Sequence, residues 1–133
     1  MEERVKKVLE ENIWSIATVC TKGWPNVVPV GFKAVLPDGK LAVGDVFMKQ
    51  TVLNVESSHR MSVSAYDPKT MEGYQAKGPA EYVTEGPIVD KFKAMAEQLF
   101  HGTATVKGAI ILTPSKIVVT TPGPENKKVL LGE

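Results

Sequence analysis

A chain of 133 residues, 43% apolar and 23% charged, is the size of one domain with a core of its own and is too short for two. Its 16 basic residues nearly cancel its 15 acidic ones, and a net charge of +1 with no basic cluster leaves no electrostatic footprint for nucleic acid. The single cysteine, Cys20, excludes an internal disulfide and any multi-cysteine metal site.

The amino terminus, Met1-Glu2-Glu3-Arg4, shows no apolar signal region. No stretch reaches the ~20 apolar residues needed to cross a bilayer. The expectation is a soluble, cytoplasmic protein, one domain over 1–133, with a polar tail from about 122 that packs loosely.

Residues 2–12 carry Val5, Val8 and Leu9 among charges, a helical stripe that Asn12 breaks. Residues 13–21 read as a β-strand. Lys22-Gly23-Trp24-Pro25 turns it back into a second strand over 26–36, forming a hairpin. Pro37-Asp38-Gly39 is a further turn, and 40–46 gives a third strand. Over 49–57 the period changes, with Val52, Leu53 and Val55 on one side of a short helix. Strands follow at 61–66 and 73–84, the second interrupted by Gly78-Pro79, the mark of a bulge or an edge.

Gly86-Pro87 opens the clearest helix, with Ile88, Phe92, Met95, Ala96 and Leu99 at helical spacing and Gly102 as its stop. A last strand spans 109–120. About six strands with short helices and no strand–helix–strand alternation predict a mainly β, six-stranded antiparallel Greek-key barrel.

Self-sufficient catalytic constellations are absent. His59 and His101 are isolated, no metal-ligand spacing recurs, and neither a phosphate-binding glycine loop nor a nucleophile elbow is present. No residue stands out as a catalytic acid or base. A cofactor would have to carry any reactive chemistry.

Two segments stand apart. In the first, Gly44-Asp45-Val46-Phe47-Met48-Lys49-Gln50-Thr51, a strand passes through a loop into a helix beginning around Thr51. Free amides at a helix start, the cation of Lys49 and the side chains of Gln50 and Thr51 are the equipment to grip a phosphate monoester. Ordinary capping by Thr51 is the competing account. The second segment, Val28-Pro29-Val30-Gly31-Phe32, sets proline and glycine inside an otherwise convincing strand. A flat ring lying against the backbone would explain both, as would a bulge at a barrel corner.

In this order, the two segments resemble the FMN-binding split-barrel superfamily, which includes pyridoxamine-5′-phosphate oxidases and small FMN-binding proteins. The resemblance also rests on Trp14-Ser15-Ile16-Ala17-Thr18-Val19, on Met48-Lys49-Gln50-Thr51-Val52-Leu53-Asn54-Val55 as a phosphate segment, and on Gly73 to Glu81 as a shared strand. It covers roughly residues 3–120.

The resemblance implies a split barrel that dimerises with FMN at the subunit interface. Val28, Pro29, Val30, Gly31 and Phe32 would line the ring. Gly44, Asp45 and Met48 would flank the ribityl chain and ring edge, and Lys49, Gln50 and Thr51 would bind the phosphate. Trp14, Trp24 and Phe47 are candidates for the interface or the core. Lys77 projects from a strand, as a solvated cation or one that reaches an anion.

The implied activity is that of an oxidoreductase passing electrons or a hydride from NAD(P)H to a small acceptor. The alternatives are an electron carrier, a deazaflavin-binding homologue, or a flavin-free interaction module. The chain departs from the oxidases proper in its length and in lacking an arginine-rich C-terminal segment, since Arg4 and Arg60 are its only arginines. Haem-utilising members typically carry a histidine for iron, for which only His59 and His101 are on offer.

Overall fold

The computed structural model describes residues 1–132. The chain runs α1 (Glu3–Glu11), β1 (Trp14–Val19), β2 (Pro25–Val30), β3 (Lys33–Val35), β4 (Leu41–Asp45), α2 (Gln50–Ser58), β5 (Arg60–Tyr66), β6 (Gly73–Val83), α3 (Pro87–Phe100), β7 (Gly108–Leu112), β8 (Lys116–Val119) and β9 (Val129–Leu131). The strands are ordered β2-β1-β5-β6-β7-β4-β3, with β8 on β6 and β9 on β8, all antiparallel. They form a curled half-barrel. Among the described residues, no helix is long and apolar enough to cross a membrane.

The expected count of six strands is corrected to nine among the described residues. The strand expected over 26–36 divides at Gly31-Phe32 into β2 and β3. The strand expected over 109–120 divides into β7 and β8 at Thr113-Pro114-Ser115, where the proline lacks a ladder donor. Residues 129–131, expected within a loose tail, form β9 against β8.

The break between β7 and β8 follows from the length of β6. Its first half pairs with β5 and β8 and its last residues with β7. The switch falls at Gly78-Pro79, where Thr113 donates its amide to Pro79 O at 2.9 Å and Ser115 donates to Lys77 O at 2.9 Å. A Cβ on Gly78 would lie 2.2 Å from Thr113 O, so the crossing chain requires glycine there.

The barrel interior is apolar, with Ile16, Val63, Ile110 and Leu112 among its buried side chains, and Val5, Val8 and Leu9 of α1 pack against them. Trp14, a candidate interface residue from the sequence, is fully buried in this core and donates its indole N–H to Leu9 O at 2.6 Å. Lys33 donates to the carbonyls of Leu9 (2.8 Å) and Glu10 (3.0 Å), satisfying acceptors that the end of α1 leaves open. A second cluster joins Val89, Phe92 and Ala96 of α3 to Ala42 of β4 and Ala109 of β7.

Candidate functional site: a cleft where β2 ends and α2 begins

β2 is an edge strand, paired with β1 alone among the described residues. An edge tolerates Pro25 and Pro29, which bring no amide to the ladder. The chain then bends at Gly31-Phe32, and Gly44 donates its amide to Phe32 O at 2.8 Å, drawing the end of β4 alongside. From there residues 46–49 lead into α2. These stretches enclose a cleft of about 310 Å³, lined by residues 28–32, Gly44, residues 46–51 and Asn26. Every cofactor-contact residue expected from the sequence lines it except Asp45.

Asp45 is buried, at 2% exposure, and acts from behind the cleft wall. One carboxylate oxygen accepts the amide of Met48 at 2.9 Å and the other accepts the Tyr82 hydroxyl at 2.6 Å. Burial first, and then the hydrogen bond and charge of Asp45, raise the Tyr82 phenol above its ordinary value. Asp45 thereby ties the turn before α2 to β6. It positions the loop and does not face into the cleft.

The helix starts at Gln50, one residue before the expected Thr51, with Lys49 at the cap and no side chain capping it. Its first backbone bond within the helix is Leu53 N–H to Lys49 O at 3.2 Å, so the amides of Gln50, Thr51 and Val52 precede the ladder. Thr51 is not the cap. Its hydroxyl oxygen accepts from the Asn26 side chain at 3.1 Å, which leaves its own O–H free to donate. Gln50 donates to Asn54 at 2.7 Å, and Asn54 donates to Thr18 at 3.0 Å, so a buried polar chain anchors α2 to β1.

One end of the cleft therefore offers open amides, the positive end of a helix dipole and the Lys49 cation. The other offers Val28, Val30 and Phe32 around Gly31, where an added Cβ would meet no heavy atom within 4 Å. Gly44 is glycine for a different reason: a Cβ there would press on Phe92 at 3.1 Å and Phe32 at 3.2 Å. Phe47 lies on the rim at 79% exposure, and Trp24 projects from the β1–β2 turn at 73%.

Two cleft residues and one support escaped the sequence reading, while Phe47, offered there for the interface or the core, lies on the cleft rim. Asn26 was legible as the polar member of the Asn26, Val28, Val30 phase of a strand. Val46 carried no signal beyond its place in the 44–51 segment. Tyr82 meets Asp45 only through the fold. Neither His59 nor His101 lines the cleft, nor does Lys77. Among the described residues, no three histidine, cysteine or carboxylate groups assemble as a metal site.

A family model described as pyridoxamine 5′-phosphate oxidase matches residues 1–123. No curated protein sequence matches the chain. Among solved structures, HupZ of Group A Streptococcus superposes with a TM-score of 0.81 at 23% identity, covering 94% of this chain and 98% of that one. An FMN-binding protein from Syntrophomonas wolfei superposes with a TM-score of 0.79 at 13% identity, covering 92% and 87%. A third, described as an F420 reductase, gives a TM-score of 0.65 at 19% identity, covering 88% and 98%. At these identities the likenesses establish the shared fold.

Proposed function

The chain belongs to the pyridoxamine 5′-phosphate oxidase family, and on that premise we propose that its cleft holds FMN and that the protein is a flavin-dependent oxidoreductase acting as a homodimer. The observation that carries the reading is the convergence, in one cleft, of an unobstructed glycine backbone among apolar side chains with a cationic, amide-rich helix start. A phosphorylated, flat, largely apolar ligand matches both ends. The volume supports the dimer. About 310 Å³ is at the low end of the roughly 300–1,000 Å³ of small-molecule sites, so a second subunit would complete the enclosure.

In this reading the amides of Gln50 and Thr51, the Thr51 hydroxyl and the Lys49 ammonium hold the terminal phosphate. Asn26 keeps Thr51 oriented, and Asp45 holds the Met48 amide so that the loop presents a fixed shape. Val28, Val30 and Phe32 exclude water from one face of the ring, while Gly31 lets that ring approach the backbone. A flavin held there would supply the redox chemistry between a nicotinamide donor and a small acceptor. No side chain in the cleft is assigned a proton-transfer step. A deazaflavin with a phosphate in its side chain would use the same corner, and the structural likeness to an F420 reductase makes it the second cofactor to test.

The test is the spectrum of the purified protein, followed by titration with FMN and riboflavin. FMN should bind at least tenfold more tightly than riboflavin. Lys49→Ala should narrow that gap, since a charge-assisted hydrogen bond contributes about 1.5–3 kcal/mol. Anaerobic NAD(P)H should bleach the bound flavin, and sedimentation should give a dimer. Equal affinity for FMN and riboflavin would refute the phosphate assignment. A yellow protein that NAD(P)H does not bleach would be a carrier.

A further inference from the structure

A second and larger cleft, about 970 Å³, opens on the outer face of β1, β5, β6 and β8, and its lining shares no residue with the first. The strand registers describe its floor. Ala17 stands opposite Ser62, Ser62 opposite Lys77, and Lys77 opposite Lys116. One row thus runs across four strands, from small side chains to two ammonium groups on adjacent strands. Arg60 lies two residues along β5 from Ser62 and so on the same face, and it also lines the cleft.

Two like charges directly opposite on neighbouring strands destabilise a sheet, by up to roughly 1 kcal/mol. Three cations on other surfaces have carboxylate partners: Arg4 with Glu2 and Glu125, Lys6 with Glu10, and Lys128 with Glu125. Among the described residues, Arg60, Lys77 and Lys116 have none, and no acidic residue lines the cleft. Ser62 adds a hydroxyl donor at its wall, while the Ser115 hydroxyl donates to Lys77 O at 3.2 Å. The arrangement gathers three positive charges on β5, β6 and β8, while the lining contributed by β1, Ala17 to Val19, is uncharged. Arg60 on β5 and Lys116 on β8 stand two strands apart, a span of about 9–10 Å, which two linked phosphates bridge better than one.

We propose that this cleft binds a ligand bearing a diphosphate. Lys77, Lys116 and Arg60 hold the two phosphates, and the organic body lies over the Ala17–Ser62 floor. This site is independent of the flavin reading. Lys77, which the sequence left as either a solvated cation or an anion contact, takes the second role here.

The experiment is calorimetric titration of the full chain at low salt with ADP, AMP and adenosine as probes. ADP should bind at least tenfold more tightly than AMP, with affinity falling as salt rises. The double variant Lys77→Gln/Lys116→Gln should weaken ADP at least tenfold, while Lys49→Ala leaves it unchanged. The double variant should also melt no lower than the parent, because it removes a repulsion. Equal binding of ADP and adenosine, no binding of any probe, or a double variant that binds ADP like the parent would each overturn the proposal. So would loss of ADP binding in Lys49→Ala alone, which would assign the anion to the first cleft.

Discussion

Tyr82 of β6 reaches across β7 to donate its hydroxyl to Asp45 of β4 at 2.6 Å, passing over the bare Cα of Gly108. A Cβ on Gly108 would sit 2.6 Å from the phenol, so the glycine is what opens the path. Asp45→Ala strands both the Tyr82 hydroxyl and the Met48 amide, and should cost about 1–3 kcal/mol in chemical denaturation. Tyr82→Phe should cost less. Only Asp45→Ala should also weaken FMN, because it alone frees the loop ahead of α2. Equal loss of FMN affinity in both variants would show that the Met48 bond does not shape the site.

Burial, followed by the hydrogen bond and charge of Glu72 at 2.5 Å, pushes the Tyr74 phenol up to about 12. Tyr82 is raised in the same direction by burial and Asp45. An unfolded phenol ionises near ~10. Below that pH both states keep their protons and stability does not depend on them. From pH ~10 to about 12 the unfolded chain loses protons that the folded chain retains, so stability should fall with rising pH. Denaturation midpoints taken across this range check it, and Tyr74→Phe should flatten the decline.

Gly31 separates fold from function. Its backbone is not in the left-handed region and an added Cβ meets nothing within 4 Å. Gly31→Val should therefore change stability by no more than about 0.5 kcal/mol. In the proposed site it fills the space where the ring approaches, and FMN affinity should fall at least tenfold. A variant that folds and binds FMN normally would place the ring elsewhere.

Gly78→Ala tests the strand switch. The new methyl would press on Thr113 O, where backbone approaches backbone and neither can move without breaking the bonds at Pro79 and Lys77. A loss of about 1–3 kcal/mol is expected, as for overpacking in a core. An unchanged denaturation midpoint would mean that β6 and the 113–115 segment are looser than their bonds indicate.

The residue pattern by itself determined the mainly β character, the three helices and the two segments that meet in the cleft. Those properties depend on local periodicity and on turn and cap chemistry, which neighbouring residues carry. Periodicity placed the start of α2 within one residue and made Val28 to Phe32 unusual before any partner was known. The division of the long strands was not legible, because Thr113 to Ser115 breaks a strand only when it must pass Gly78 on the way from one half of β6 to the other. β9 was hidden for the same reason: a polar, proline-bearing tail becomes a strand only if β8 offers it an edge. Asp45 was legible as part of the loop, but its role depends on Tyr82, 37 residues away in sequence. The opposed lysines at 77 and 116 exist as a pair only through strand register. Long-range pairing decides which side chains become neighbours, and that information lies in the packed sheet, where each contact is selected jointly with all the others.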